Sequence, residues 1–94
     1  MGDVAKAIDN KLRVAFAPLR LAVEDESSRH HGHAGWREGG ETHFRVEIVS
    51  ASFEGQSRVA RQRLVYAALK DEFAAGLHAL ALTTLTPAED AKRS

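Results

Sequence analysis

The hydrophobic residues of this chain change their spacing at Pro18, and this change limits the fold more than any other feature of the sequence. Before Pro18 the apolar residues recur every four positions, at Val4, Ile8, Leu12 and Phe16, with Ala5 and Ala15 beside them. Such a stripe predicts an amphipathic helix with one buried face. We expect Asp3 to cap the start of this helix and Pro18 to lie at its end.

After Pro18 the apolar period is two, which is typical of a strand with one buried face. In the first strand, Leu19, Leu21 and Val23 alternate with Arg20, Ala22 and Glu24. In the second, Phe44, Val46 and Ile48 alternate with His43, Arg45 and Glu47. The pattern places His43 on the solvent face of the second strand, where an ordinary surface residue is expected.

Residues 25–41 join these two strands and show no hydrophobic period. They contain four glycines, the only tryptophan, Trp36, and three histidines, His30, His31 and His33. Connections of this length are uncommon in compact domains and are often functional. We therefore treat this loop as a candidate functional segment, with Trp36 as a residue that either contacts a partner or packs back on the sheet.

The second half of the chain begins with a turn at Phe53 to Gln56, after which Ser57 is placed to cap a helix. The apolar stripe of this helical stretch consists of Val65, Ala68, Leu69 and Phe73. We expect a break between Arg61 and Leu64 and a left-handed end at Gly76.

Leu77 to Leu85 predict a third strand, and Thr86 followed by Pro87 predicts the start of a fourth helix. Since few residues follow, we expect residues 88–94 to be a short, frayed tail. The 94 residues therefore predict one α+β domain covering 1–94, with the order α-β-β-α-α-β-α and the third strand reached through a helical crossover.

The composition excludes several classes of function. The chain has no cysteine, which removes disulfides, thiolate nucleophiles and any iron–sulfur site built from its own thiolates. Imidazole is its only soft metal ligand. Lys plus Arg and Asp plus Glu are 13 each, so no overall positive field attracts nucleic acid or anionic membranes. Neither a signal peptide nor a membrane-spanning segment is evident, and we expect a cytoplasmic protein.

Five groups of residues, in this order along nearly the whole chain, resemble the BolA family. They are Asp25-Glu26-Ser27 followed by His30, Glu41-Thr42-His43-Phe44-Arg45-Val46, Phe53-Glu54-Gly55, Arg61-Gln62-Arg63-Leu64-Val65-Tyr66 and Gly76-Leu77-His78-Ala79-Leu80. The resemblance implies a BolA-like sandwich related to type II KH domains. Its mixed three-stranded sheet would pair strands one and two antiparallel and strands two and three parallel.

The resemblance also implies a partnership with a monothiol glutaredoxin around a shared [2Fe–2S] cluster, to which the partner and its glutathione would contribute thiolates. It implies His78 and the loop residue His30 as ligands, with His33 as the substitute and His31 third. His43 would have only a supporting role. We expect no cluster to be held tightly by the isolated chain. Neutral imidazole titrates near neutrality, so such ligation should loosen on acidification.

The alternative for His78 is a structural role without ligand function. It would then be a histidine at the margin of the core, since it shares strand parity with Leu80 and Leu82. For the loop histidines the alternative is a solvated cluster.

DNA binding as a transcriptional regulator is the alternative function that the resemblance implies. The basic ridge that would carry it consists of Arg58, Arg61, Arg63 and Lys70, which would contact phosphates without reading the base sequence. Gly55-Gln56-Ser57-Arg58 lacks the second glycine of the KH loop that grips nucleic acid. Helix arginines more often pair with acids, here Glu54, Asp71 and Glu72.

Catalysis is not indicated by any motif of the chain. It shows no Ser/His/Asp arrangement, no paired carboxylates at catalytic spacing and no phosphate-binding loop, and His30 and His33 alone are a weak basis for a hydrolytic metal site. We therefore predict a protein that is not an enzyme and that has no small-molecule substrate.

Overall fold

A computed structural model describes residues 2–26 and 43–93 of the chain. The helices and strands follow the predicted order α-β-β-α-α-β-α. They are α1 (Asp3–Phe16), β1 (Arg20–Asp25), β2 (His43–Val49), α2 (Arg58–Ala68), α3 (Lys70–Ala74), β3 (Ala79–Leu85) and α4 (Pro87–Arg93), with one turn of 3-10 helix at Ala51–Phe53. From residue 27 onward, the predicted loop 25–41 lies outside the described residues.

The three strands form one mixed sheet in the order β1-β2-β3. β1 pairs antiparallel with β2, and β2 pairs parallel with β3. The parallel pair requires a long crossover, which α2 and α3 provide. The α+β class and the sheet topology implied by the BolA resemblance are confirmed.

The core lies between one face of this sheet and the helices. The cluster of buried apolar residues that forms this core consists of Ala5, Ile8, Leu12 and Phe16 from α1, Phe44, Val46 and Ile48 from β2, Val65 from α2, and Phe53, Leu69 and Leu77 from the connections. The predicted stripes are therefore largely confirmed. Leu19, by contrast, precedes β1 and is 73% exposed, and Ala15, which lies beside the apolar stripe of α1, is also exposed.

The start of α1 differs from the prediction, whereas its end lies near Pro18 as predicted. Gly2 occupies the N-cap position, and no side chain caps the helix, so Asp3 is not the cap. Asp3 lies in the first turn, where its negative charge interacts favourably with the helix dipole. α1 ends before Ala17, which adopts φ 44° and closes the helix through a bond from its N–H to Arg13 O of 3.0 Å.

The break in the second helical stretch lies at Leu69 and not between Arg61 and Leu64. Leu69 has φ −103° and ψ 16°, and its N–H is shared between the carbonyls of Val65 and Tyr66 at 3.1 and 3.2 Å. Its side chain is fully buried, so packing fixes a residue whose backbone departs from helical geometry. The predicted Ser57 cap is confirmed by a bond from Ala60 N–H to Ser57 Oγ of 3.1 Å.

β3 begins at Ala79, two residues later than predicted. Leu77 is buried, and its N–H donates to Glu72 O at 2.9 Å. The backbone of Leu77 therefore closes the end of α3 and does not join the sheet. Gly76, with φ 125°, makes the predicted left-handed end.

The predicted fourth helix is present as α4, which is short but continues as far as Arg93. Thr86 Oγ1 accepts from Glu89 N–H at 3.2 Å, and Glu89 Oε1 accepts from Thr86 N–H at 2.9 Å. These reciprocal bonds form a capping box. Asp90 on α4 also accepts from Arg20 on β1 at 2.5 Å, so side chains from the sheet hold this short helix.

Candidate functional site

Two histidines meet at one end of the sheet. His43 is the first residue of β2, and in the parallel register it lies opposite Ala79, the first residue of β3. His78 immediately precedes Ala79. The two imidazole rings are 5.2 Å apart between centroids and tilted by 53°. The start of both strands therefore holds a pair of imidazoles.

His78 lies in an exposed position just outside β3, whereas Leu80 and Leu82 are partly buried against the core. The interpretation of His78 as a histidine at the core margin is therefore wrong. That interpretation requires β3 to begin at Leu77, but the backbone of Leu77 bonds to α3 instead. An exposed imidazole at the end of a sheet is accessible to a partner molecule.

His43 differs from the prediction of an ordinary surface residue, because it is only 6% exposed. Its side chain points to the same face of the sheet as that of Arg45, which is exposed. Because His43 is the first residue of β2, however, it also contacts residues that lie outside the strand. The ring of His78 lies on one side, and on the other Glu26 N–H donates to His43 O at 2.8 Å. Strand parity describes the face of a sheet and does not predict this contact at its end.

A pocket of about 310 Å³ adjoins this pair of histidines. The described residues that line it are Glu26, His43, Phe44, Ala79, Leu80 and Ala81. Glu26 is 8% exposed, and its carboxylate accepts from Arg45 Nε at 3.0 Å. This bond raises the pKa of Arg45 above its ordinary value and offsets the cost of keeping a carboxylate beside apolar groups.

The loop histidines His30, His31 and His33, and Trp36, lie outside the described residues. The two ends of their segment, Glu26 and His43, are joined by a backbone hydrogen bond beside His78. Within 2–26 and 43–93, no three histidine or acidic side chains group closely enough to hold a metal ion. The described residues alone therefore supply a pair of imidazoles.

Arg61, predicted as part of a nucleic-acid-binding ridge, is instead a structural residue that is 6% exposed. Its guanidinium makes two bonds to the Glu89 carboxylate, at 2.7 and 3.2 Å. It also donates to Gln56 O at 3.0 Å and to Thr84 O at 3.2 Å. Arg61 thus joins the turn before α2, the end of β3 and the start of α4, and its donors are not available to phosphate.

Arg58, Arg63 and Lys70 are exposed. Two of the acids expected to pair with these arginines pair with another residue, since Asp71 and Glu72 bind Lys11 of α1 at 3.4 and 2.9 Å. The acidic partner of Arg61 is Glu89, which lies 28 residues further along the chain and is therefore not indicated by proximity in the sequence. The ridge is reduced to three exposed cations.

Acidification is expected to loosen α4. The Arg61 guanidinium, assisted by Thr86 N–H, lowers the pKa of Glu89 from 4.5 to about 2. A carboxyl group whose folded pKa is depressed stabilises the fold above its unfolded pKa, and this stabilisation is lost as the pH falls through the folded pKa. This window lies between about pH 5 and pH 2. Denaturant unfolding measured across it should therefore show a steeper loss of stability for the native chain than for Glu89→Gln.

Glu54→Gln, on an exposed turn, is the matched control and should keep the native slope. Equal slopes for the native chain and Glu89→Gln would show that the bond to Arg61 does not contribute to acid sensitivity.

Comparison of the sequence and the structure with known proteins agrees with the BolA-like topology of the fold. Residues 12–89 match the family model described as BolA-like protein. The chain is 46% identical to SufE-like protein 1, chloroplastic/mitochondrial, of Arabidopsis thaliana over 95% of its length and 25% of that protein. It is 47% identical to protein BOLA1, chloroplastic, of the same plant over 90% of its length and 54% of that protein.

The solved BolA domain of SufE1 from Arabidopsis thaliana superimposes with a TM-score of 0.86 at 46% identity, covering 95% of this chain and 98% of that domain. The chain belongs to the BolA family. It spans about a quarter and about half of the two plant relatives, respectively. None of the helices in the described part of the chain has the length and apolar character needed to cross a bilayer.

Proposed function

We propose that this chain is a non-enzymatic adaptor that pairs with a monothiol glutaredoxin to hold or transfer a shared [2Fe–2S] cluster. The observation that carries the proposal is the exposed imidazole of His78, which lies beside the two ends of the segment that holds His30 and His33, in a chain without cysteine. The name of one relative, SufE-like protein 1, points toward iron–sulfur chemistry in that protein.

The donor set fits such a group. Replacement of two thiolates by two imidazoles on one iron is a known arrangement in [2Fe–2S] centres. With metal–nitrogen bonds of about 2.1 Å, two imidazoles on one ion have ring centres about 5 Å apart. A chain of this kind supplies imidazole, and the remaining thiolates come from the glutaredoxin and its glutathione. Since the cluster depends on both proteins, the isolated chain does not hold it tightly.

His78 is the principal ligand in this proposal, because it is exposed and precedes an ordered strand. His30 is the first choice for the second ligand and His33 is its substitute. His30 is four positions after Glu26, and four positions span up to about 14 Å. β3 lies two strand spacings from β1, about 10 Å away. The covalent chain is therefore long enough for either loop histidine. His43 enters as a further candidate because it contacts His78 directly.

Titration with a glutaredoxin that carries its own cluster tests the proposal. We expect the visible spectrum to shift away from that of the glutaredoxin homodimer and to saturate at a fixed ratio of the two proteins, because imidazole replaces a thiolate. A spectrum that stays that of the homodimer at every ratio would overturn the proposal. If the spectrum were unchanged although the two proteins bind each other, the chain would bind the glutaredoxin without contributing a ligand to the cluster, and the cluster-sharing part of the proposal would be wrong.

DNA binding and the cytoplasmic location stay predictions. With Arg61 bound to Glu89, a phosphate contact would have to come from Arg58, Arg63 and Lys70. Neutralising these three should weaken any salt-sensitive mobility shift, because each phosphate contact releases counterions.

A further inference from the structure

β3 is an edge strand whose own residues carry no charge. It lies at one end of the order β1-β2-β3, and its seven residues, Ala79-Leu-Ala-Leu-Thr-Thr-Leu85, include no charged residue, proline or glycine. Natural proteins usually protect such an edge with lysine, proline or a bulge, since unpaired backbone groups otherwise invite another strand. None of these devices is present within β3.

Two hydrogen bonds establish which backbone groups face outward. Ser50 N–H donates to Leu85 O at 2.9 Å from the β2 side. Because the two sides alternate along a strand, Thr84 O faces away from β2, and Arg61 Nη1 reaches it there at 3.2 Å. Leu80 and Leu82 have the same direction as Thr84, so their N–H and C=O groups form the outer edge.

Arg61 therefore covers the outer edge at Thr84 but does not cover the backbone groups of Leu80 and Leu82. In the described part of the chain, no other group bonds to the outer side of β3 at these two residues. Ala79 and Ala81, the adjacent residues on the open face, are both exposed. An approaching strand thus meets two small side chains and two pairs of backbone groups.

This edge is complementary to itself. If two copies of β3 run antiparallel with Ala81 opposite Ala81 of the second copy, each Leu80 faces a Leu82 and exchanges both N–H and C=O bonds with it. The central pair, without hydrogen bonds, has its Cα atoms about 4.5 Å apart, a separation that two alanines fit easily. This twofold arrangement is isologous, as in most protein dimers.

We propose that β3 pairs with β3 of a second copy of this chain and joins the two sheets into one sheet of six strands. The occupant is a second copy because the register around Ala81 repeats itself and because the chain has no net charge to keep copies apart. Four backbone bonds with little side-chain burial make a weak interface. Association is therefore expected between micromolar and millimolar protein.

Amide hydrogen exchange at several protein concentrations tests this pairing residue by residue. The amides of Ala81 and Thr83 bond to β2 and should be protected at every concentration. The amides of Leu80 and Leu82 should exchange quickly in dilute protein and become protected as the concentration rises. Fast exchange at Leu80 and Leu82 at all concentrations would overturn the proposal. Protection that appears only when a different protein is added would assign the edge to that protein and would also overturn it.

Charge substitutions at Ala81 give the second measurement. Ala81→Lys places two like charges opposite each other at the twofold axis and should weaken association in sedimentation equilibrium by up to about fivefold. Ala81→Glu should do the same, and an equimolar mixture of the two variants should associate again. Ala22→Lys, which adds the same charge to the same face but on β1, is the control and should associate like the native chain. Self-association that is undiminished in Ala81→Lys would contradict the pairing.

Discussion

Replacing Arg61 by methionine should lower the free energy of unfolding by about 3 kcal/mol, since it removes a nearly buried cation and leaves its partners without a donor. The guanidinium bonds Glu89 twice and also bonds Gln56 O and Thr84 O. Methionine keeps much of the stem's packing, so the loss reports mainly on these polar contacts. Urea denaturation monitored by circular dichroism measures it.

Arg63→Met is the matched control for Arg61→Met. Arg63 is exposed on the same helix, and its replacement should change stability by no more than about 0.5 kcal/mol. Equal losses in the two variants would show that Arg61 does not join α2, β3 and α4 as described. A small loss in both would mean that the fold tolerates the unpaired carbonyls.

His78→Ala should weaken assembly of the mixed cluster complex by about 100-fold, because removal of a ligand costs more than the 10–100-fold typical of its outer partners. The fold should be unaffected, since the side chain is exposed and replacement at such a site changes stability by about 0.5 kcal/mol or less. The visible titration with the glutaredoxin measures the first effect, and thermal unfolding of the isolated chain measures the second. Assembly that persists undiminished would remove His78 from the ligand set.

The second ligand is decided by the same titration with His30→Ala, His33→Ala and His43→Ala. We expect His30→Ala to have the largest effect of the three, and His31→Ala is the control within the same loop. A larger effect of His43→Ala, with unfolding unchanged, would transfer the assignment to the pair seen at the end of the sheet. Since His43 is nearly buried, a loss of stability in that variant would point to packing and not to ligation.

Much of the fold could be predicted from periodicity, because burial of one face sets the spacing of apolar residues in helices and strands alike. The stripe of α1, the alternation of β2 and the cap at Ser57 were predicted from the residues alone. The break at Leu69 was not, because a fully buried leucine has the same pattern whether or not its backbone is helical. The start of β3 was placed two residues early because Leu77 is apolar in either role.

The resemblance implies His78 as a ligand, and that role stays a prediction. The structure shows that His78 is exposed, whereas the burial of His43 depends on the register between β2 and β3. Arg61 was assigned to a binding ridge because a single sequence shows the charge and not the partner. Glu89 lies on the last helix, and only the fold brings it to Arg61. Contacts between distant segments at the ends of elements are the features that local patterns do not contain.

Pulsed electron paramagnetic resonance of the reduced mixed complex tests the central claim most directly. The chain is labelled with nitrogen-15 histidine and the glutaredoxin is left unlabelled, so any coupling to nitrogen-15 comes from imidazoles of this chain. We predict strong nitrogen-15 coupling to the cluster that is reduced or lost in His78→Ala. A complex that forms a cluster without coupling to nitrogen-15 would contradict the account, because all its ligands would then come from the partner.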